Sequence, residues 1–326
     1  MTVREGKAKM ESFIETERLF LREMDMNDFP ALCRILGDSD IMRHYPYAFD
    51  EKRVREWIER NMTRYRENGF GLWAVCLKET GEMIGDCGLT LQRIHGEMLP
   101  EIGYHIRRDC QRRGYAREAA KAVRDWAFRN LEDQALYSYC KYTNEPSIRT
   151  AESVGMHFDC EYPEEANGIT HVSVIFRKEW LNELTENMIR WAESRLGSAE
   201  YAGWCLSFIE DALEKSNGIE IFGGDSAKES CEMYEDAMQN GAPERGAFAF
   251  YDCLCGSDDG PVNLGHCGIS FGDGNVIHAW DQVRIDGFRQ IENMTALSGD
   301  HPRYIGWVPL MRVLTQKPQK HGYAVN

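Results

Sequence analysis

The sequence predicts an α+β protein of two domains. Strand-like and helix-like segments alternate from about residue 13 to residue 178, whereas from about Glu183 helices come first and short strands follow. The length of 326 residues suits two domains of ordinary size. We place an N-terminal extension at 1–12, a first domain at 13–180 and a second at 181–326.

Composition narrows the class of partner. Apolar residues make up 43% of the chain and charged residues 28%, enough for each half to bury its own core. No window approaches the roughly 18 uninterrupted apolar residues of a membrane span. The opening MTVREGKAKM has no apolar stretch of the secretory kind, so a cytoplasmic protein is expected. A net charge of −15 argues against nucleic acid or an anionic membrane as the main partner. The 11 cysteines, an odd number spread over both halves, read as free thiols rather than a disulfide framework.

The elements follow in order. FIETERLFLREM alternates as a first strand, and DMNDFPALCRILGD offers Asp25 or Asn27 as the cap of a helix. A second helix carries Trp57, Ile58, Met62 and Tyr65. GLWAVCLKETGEMIGDCGLTLQ reads as two strands joined at Glu79-Thr80-Gly81, and EIGYHI as a fourth strand starting at Glu101. After a turn at Gly114, Ala119, Ala120, Val123 and Ala127 recur at helical spacing. ALYSYCKY is a strand, PSIRTAESVGM a short helix ended by Gly155, and HVSVIFRKEW a closing strand. Beyond it LTENMIRWAESRLG, YAGWCLSFIEDAL and DSAKESCEMYEDAM read as three helices, and short strands and turns complete the chain.

The first chemistry lies in CQRRGYAREAAKAV, residues 110 to 123. A strand, a turn at Gly114 and an immediate helix leave backbone N–H groups pointing outward, which makes an anion nest at a positive dipole end. Ala116 lets a diphosphate approach the backbone, and Arg107, Arg108, Arg112, Arg113 and Arg117 reverse the sign of an acidic protein locally. Taken alone, the motif fits an ordinary strand, turn and helix with a solvated basic face better than an anion site.

Its neighbours give it context. Gln111, Arg112, Arg113, Gly114, Tyr115 and Ala116 resemble in order the Q/R-x-x-G-x-G/A loop of the GNAT acetyltransferase superfamily. ETERLFLREMDMNDF, EIGYHI, GYAREAAKAV and NEPSIRTAESVGM look like its branch that acetylates protein N-termini. The resemblance covers residues 13 to 178 and implies a mixed sheet, flanked by helices and splayed between its fourth and fifth strands. Acetyl-CoA would lie in that gap, its pantetheine arm paired with backbone near Ile106. Asn144 matches the residue that hydrogen-bonds the arm; Ser147 either joins it or only starts the helix. Glu101 is either the base that takes the ammonium proton or a strand-end residue that hydrogen-bonds the loop. Tyr162 is a candidate general acid or a packing residue.

The second chemistry begins at Cys205 in GWCLSFIEDAL, in the first turn of a helix whose dipole favours a thiolate. Its partners are sought in GHCGISFGDGNVIHAW, residues 265 to 280. A zinc site there is not expected. Cys253 and Cys255 are spaced too closely for paired ligands, and adjacent His266 and Cys267 point to opposite faces of a strand. Cys267 is accordingly read as a bystander facing away. A two-residue hairpin loop would send His266 and His278 to opposite faces. A three-residue loop with Gly274 left-handed would pair Gly268 with His278 and bring both histidines to one face.

The order of these segments resembles the NlpC/CHAP papain-like cysteine peptidases and amidases, over residues 184 to 312. The resemblance implies Cys205 as nucleophile, His266 as general base and His278 as the residue that fixes its tautomer. Asp281 is a rival orienter, and Trp204, Tyr201 and Gln282 are candidates for lining the site. The usual Asp-Cys-Ser signature is absent, which leaves the oxyanion donors unassigned. The joint expectation is an N-acetyltransferase acting on a primary amine (a protein N-terminus, a peptide or a small amine), with acetyl-CoA and no metal. It is fused to a small papain-like α+β cysteine hydrolase. The alternative is that the papain-like part only recognises a substrate or forms an interface.

Overall fold

The computed structural model describes residues 14–94, 96–165, 168–255 and 260–317, so the expected extension at 1–12 lies outside the described residues. The chain divides into two compact units, Met1–Arg177 and Lys178–Asn326.

In the first unit, β1 (Ile14–Glu15) and β2 (Leu19–Arg22) are followed by α1 (Phe29–Leu36), α2 (Glu51–Asn68), β3 (Leu72–Leu77), β4 (Met83–Ile94) and β5 (Glu97–Ile106). Next come α3 (Tyr115–Asn130), β6 (Ala135–Lys141), α4 (Glu145–Ser153), β7 (His157–Glu164) and β8 (Gly168–Phe176). The strands form one sheet in the order β1-β2-β3-β4-β5-β6-β8-β7. Only β5 and β6 run parallel, and they share a single paired position, Glu101 with Tyr137. A strand that forms the full β4 ladder on one side and a single paired position on the other leaves a gap open beyond Glu101. α2 is set by its ends: Asp50 accepts the Arg53 N–H at 2.9 Å, and Gly69 takes the left-handed C-cap at φ 74°.

Three expectations need correction. The first strand is broken, because the Thr16 hydroxyl accepts the Leu19 N–H at 2.9 Å and turns the chain between β1 and β2. The fourth strand does not open at Glu101. It starts at Glu97 and pairs with β4 throughout, which puts Glu101 mid-strand opposite Thr90. The closing strand ends at Phe176, and Arg177 already begins α5 (Arg177–Glu193). β7 escapes a reading of hydrophobic alternation because its side chains are exposed or half-buried throughout, as befits a sheet edge.

The second unit continues with α6 (Cys205–Asn217), α7 (Ala227–Met233), β9 (Phe248–Asp252), the small pair β10 (Leu254–Cys255) and β11 (Val262–Asn263), β12 (His266–Ser270), β13 (Asn275–Ala279), β14 (Val283–Gly287), β15 (Arg303–Val308) and α8 (Leu310–Thr315). Five strands make an antiparallel sheet in the order β14-β13-β12-β9-β15. α6 packs on β12 and β13 through buried Phe208, Ile209, Ala212 and Leu213. Helices before sheet is the order expected from the sequence.

Candidate functional sites

The turn before α3 has the backbone geometry of an anion nest. Arg112 (φ 59°) and Gly114 (φ 83°) are both left-handed, so successive N–H groups from this segment converge on one side. Gly114 caps α3 and has no side chain to satisfy its first N–H groups; the first intrahelical bond goes from the Glu118 N–H to the Gly114 carbonyl. Among the described residues Arg112, Arg113 and Arg117 make no ion pair, whereas Arg107 is neutralised by Glu82 and Asp109, and Arg108 by Asp38 and Asp40. The five arginines grouped by sequence are therefore two structural and three available. Gln111 is committed to the loop itself, its amide donating to the Ile106 carbonyl at 2.9 Å. Arg18, not singled out from the sequence, donates to the Arg113 carbonyl at 3.0 Å and stacks over Tyr115, which braces the turn.

Glu101 lies beside the gap, 7% exposed, accepting the Thr90 hydroxyl at 2.8 Å. Burial raises its pKa to about 7, against smaller lowering by that hydrogen bond, His105 and Arg64. Asn144 accepts the Ser147 N–H at 3.4 Å as the cap of α4. Ser147 meets Tyr104, whose hydroxyl donates to its carbonyl at 2.8 Å. Tyr162 sits on outermost β7, with β8 between it and β6, which separates it from the gap.

In the second unit Cys205 is the first residue of α6. The hairpin carrying the histidines pairs Ile269 with Ile277 and Ser270 with Val276, closed by Gly272-Asp273-Gly274. This is the three-residue register, and both histidines fall on one face. His266 Nε2 and His278 Nδ1 are 2.8 Å apart, the rings 82° to one another. His278 Nε2 reaches Asp286 at 3.2 Å, and Arg284 holds Asp286 from the same strand at 2.5 Å. Asp281 does not orient either histidine: it accepts the Gln282 N–H and pairs loosely with Arg284 at 3.7 Å. Asp286 occupies that place. It sits diagonally across β13–β14, where His278 opposes Arg284 and Val276 opposes Asp286.

Electrostatics fix where the protons lie. Burial first, then the neighbouring His266, lower the His278 pKa to about 3, so His278 is neutral. Its one hydrogen goes to the carboxylate of Asp286. Its Nδ1 then accepts the His266 Nε2–H, and His266 Nδ1 is left for Cys205. The Cys205 pKa is lowered well below the ordinary thiol range, by a hydrogen bond from Cys267 most of all and then by His266, despite burial. Cys267 is therefore no bystander. Its thiol, pushed up by burial and by Cys205, stays protonated, and that thiol and its backbone N–H both favour the Cys205 thiolate. Helix α6 packing onto β12 brings both groups within reach of one sulfur. Of the other candidates, Tyr201 is core, its hydroxyl on Asp211 at 2.5 Å, and Trp204 is 68% exposed beside Cys205. Gln282 lies in the exposed turn between β13 and β14, where it accepts the Trp280 N–H through its backbone.

Comparison with known proteins bears on the first unit. A family model described as "Acetyltransferase (GNAT) domain" matches residues 18–157. The "Uncharacterized protein YkkB" of Bacillus subtilis is 36% identical over 144 residues, 44% of this chain and 84% of that protein. The "Uncharacterized N-acetyltransferase YnaD" of the same organism is 28% identical over 144 residues, 44% of this chain and 81% of that protein. A crystal structure of an acetyltransferase from Agrobacterium tumefaciens is 30% identical, with a TM-score of 0.45 over 53% of this chain and 99% of that one. The chain belongs to the GNAT acetyltransferase family. GNAT acetyltransferases use acetyl-CoA, and the uncapped nest with its three available arginines is the chemistry its diphosphate needs. The matched family model ends at residue 157, so the reading of the second unit rests on its own geometry.

Proposed function

We propose that the GNAT unit transfers the acetyl group to a primary amine, a protein or peptide N-terminus or a small amine. Backbone N–H groups at Tyr115 and Ala116, with Arg112 and Arg113, hold the diphosphate; the β5–β6 gap takes the pantetheine arm beside Ile106, Asn144 and Ser147. Amine attack on a thioester needs a neutral nucleophile and close alignment. Glu101, buried at the narrow end of the gap and poised near neutrality, takes the ammonium proton. The uncapped left-handed turn at Gly114 carries this reading. In a thiol-release assay with acetyl-CoA and free-amine peptides, Gly114→Val is expected to raise the KM for acetyl-CoA on the order of 100-fold, since a β-branched residue is strained at φ 83° and the nest must open. A KM within threefold of wild type would show that the nest does not bind the diphosphate.

For the second unit we propose a thiol hydrolase of the amidase or peptidase type. Cys205 is nucleophile, His266 general base, and His278 with Asp286 fixes the His266 tautomer. The hydrogen-bond chain His266–His278–Asp286, with His266 lowering the Cys205 pKa, supports it. Amide hydrolysis yields a free amine, the acceptor class of the first unit, so the two reactions are chemically consecutive.

A further inference from the structure

A second hydrogen-bond chain lies on the same face of β5 as Glu101. Side chains alternate along a strand, so Glu101, Gly103 and His105 project together. His105 is buried; its Nδ1 is 2.7 Å from Asp86 of β4, its cross-strand partner, and its Nε2 is 2.8 Å from the Tyr45 hydroxyl. Trp57 of α2 donates its indole N–H to the second oxygen of Asp86 at 2.9 Å, so that buried carboxylate is held from two sides. Gly103 keeps the space between Glu101 and His105 clear, since a Cβ there would sit 3.3 Å from the Glu101 carboxylate.

Tyr45 ends a short turn before α2, and 44% of its surface is exposed. Its hydroxyl meets His105, and Glu101 on the β5 wall and Tyr139 and Cys140 on the β6 wall act on it electrostatically. β5 and β6 meet at Glu101 and Tyr137, and the gap opens in the direction of Gly103 and Tyr139. The phenol thus stands over the β5 wall at His105, between Glu101 and Ile106, along the stretch a pantetheine arm follows if its diphosphate sits on α3.

We propose that Tyr45 is the acid that protonates the departing CoA sulfur, with His105 and Asp86 as its positioning residues. The inference rests on acetyl-CoA occupying the gap. As the amine nitrogen bonds to the acetyl carbon, the C–S bond breaks and its electron pair stays on sulfur, which takes the Tyr45 hydrogen. Tyr45 recovers a proton from His105 Nε2, and His105 from solvent past the exposed phenol. The nitrogen sheds two protons in becoming an amide: one goes to Glu101, and the other is released to solvent, matching the one that His105 draws from solvent to replace the proton given to sulfur. Burial opposes charge on His105, but the Asp86 charge and hydrogen bond, with Glu101, outweigh it and raise its pKa. As an imidazolium it donates through both nitrogens, to Asp86 and to the Tyr45 oxygen, which frees the phenol hydrogen to point into the gap. The other nearby phenols are less suited. Tyr104 is committed to Ser147, and among the described residues no histidine bonds to the Tyr139 hydroxyl as His105 does to Tyr45.

The test titrates the thiol of CoA bound to the full chain, by its ultraviolet thiolate absorbance after subtraction of the unliganded protein. A phenol donating to sulfur favours the thiolate, so Tyr45→Phe is expected to raise the bound thiol's pKa by about one unit, a tenfold loss of thiolate at fixed pH. Tyr139→Phe, the control on the opposite wall, leaves it within about 0.3 unit, or twofold. His105→Gln moves the value in the same direction as Tyr45→Phe by a smaller amount, and decides the question if Tyr45→Phe does not fold. A merely structural Tyr45 would change CoA affinity or melting temperature without moving the thiol. An unshifted value in both Tyr45→Phe and His105→Gln overturns the proposal, as does a shift in Tyr139→Phe instead. Failure of wild type to bind CoA would overturn the acetyl-CoA reading itself, a separate result.

Discussion

Glu101→Gln is expected to lower kcat by roughly 100-fold or more, the usual contribution of a positioned general base. In wild type, kcat/KM rises as pH climbs through about 7, because the base must be ionised; the variant loses that limb. The same substitution is expected to stabilise the protein at alkaline pH. The folded pKa of Glu101, about 7, lies above that of an unfolded glutamate, so the folded state holds the proton more tightly. That contribution is present in full below about pH 4, declines as pH rises, and is gone above about 7. Holding the carboxyl at about 7 rather than at its ordinary 4.5 is worth about 3 kcal/mol. At pH 8.5, Glu101→Gln should therefore melt higher than wild type in the transition that acetyl-CoA raises, and at pH 4 the two should coincide. Lower kcat with no gain in alkaline stability would mean that Glu101 is not held protonated by burial.

Alkylation of Cys205 by iodoacetamide carries the second large effect. A thiol kept well below its ordinary range carries more thiolate than an ordinary one at pH 6.5, so Cys205 should react ahead of the other ten cysteines, all of them free. An ordinary thiol with a pKa near 8.5 is about 1% ionised at that pH. Cys267 still favours the thiolate once the imidazole is gone, so His266→Ala should slow labelling by about 10-fold without abolishing the preference for Cys205. Asp286→Asn weakens the tautomer lock and should slow it less. If Cys205 labels no faster than other half-buried cysteines, and His266→Ala leaves the rate unchanged, the second unit is a binding module and not a hydrolase.

Much of this was legible in the sequence, and what was not has physical reasons. The nest at Gly114 is local: a strand end, a glycine and a helix start within a few residues define it. The histidine register was also local, since the hairpin loop length decides which face each histidine takes. Groups assembled across strands stayed hidden. Asp286 meets His278 only through diagonal pairing of β13 and β14, so nearer Asp281 drew the attention. Asp86, His105 and Tyr45 come from three separate segments. Alternation also misled at Cys267. Facing away from His266 on one strand does not mean facing away from a helix that packs across that strand's end. Likewise five arginines in one stretch suggested one basic patch, but acidic residues from distant segments claim two of them.

The central claim is that the turn at Gly114 and the gap beyond Glu101 hold acetyl-CoA. Calorimetric titration of acetyl-CoA into the full chain tests it most directly. One site per chain is expected, with affinity that falls as salt rises because Arg112, Arg113 and Arg117 contribute charge. Inorganic diphosphate should compete for that site. No heat of binding, or binding indifferent to both salt and diphosphate, would contradict the claim.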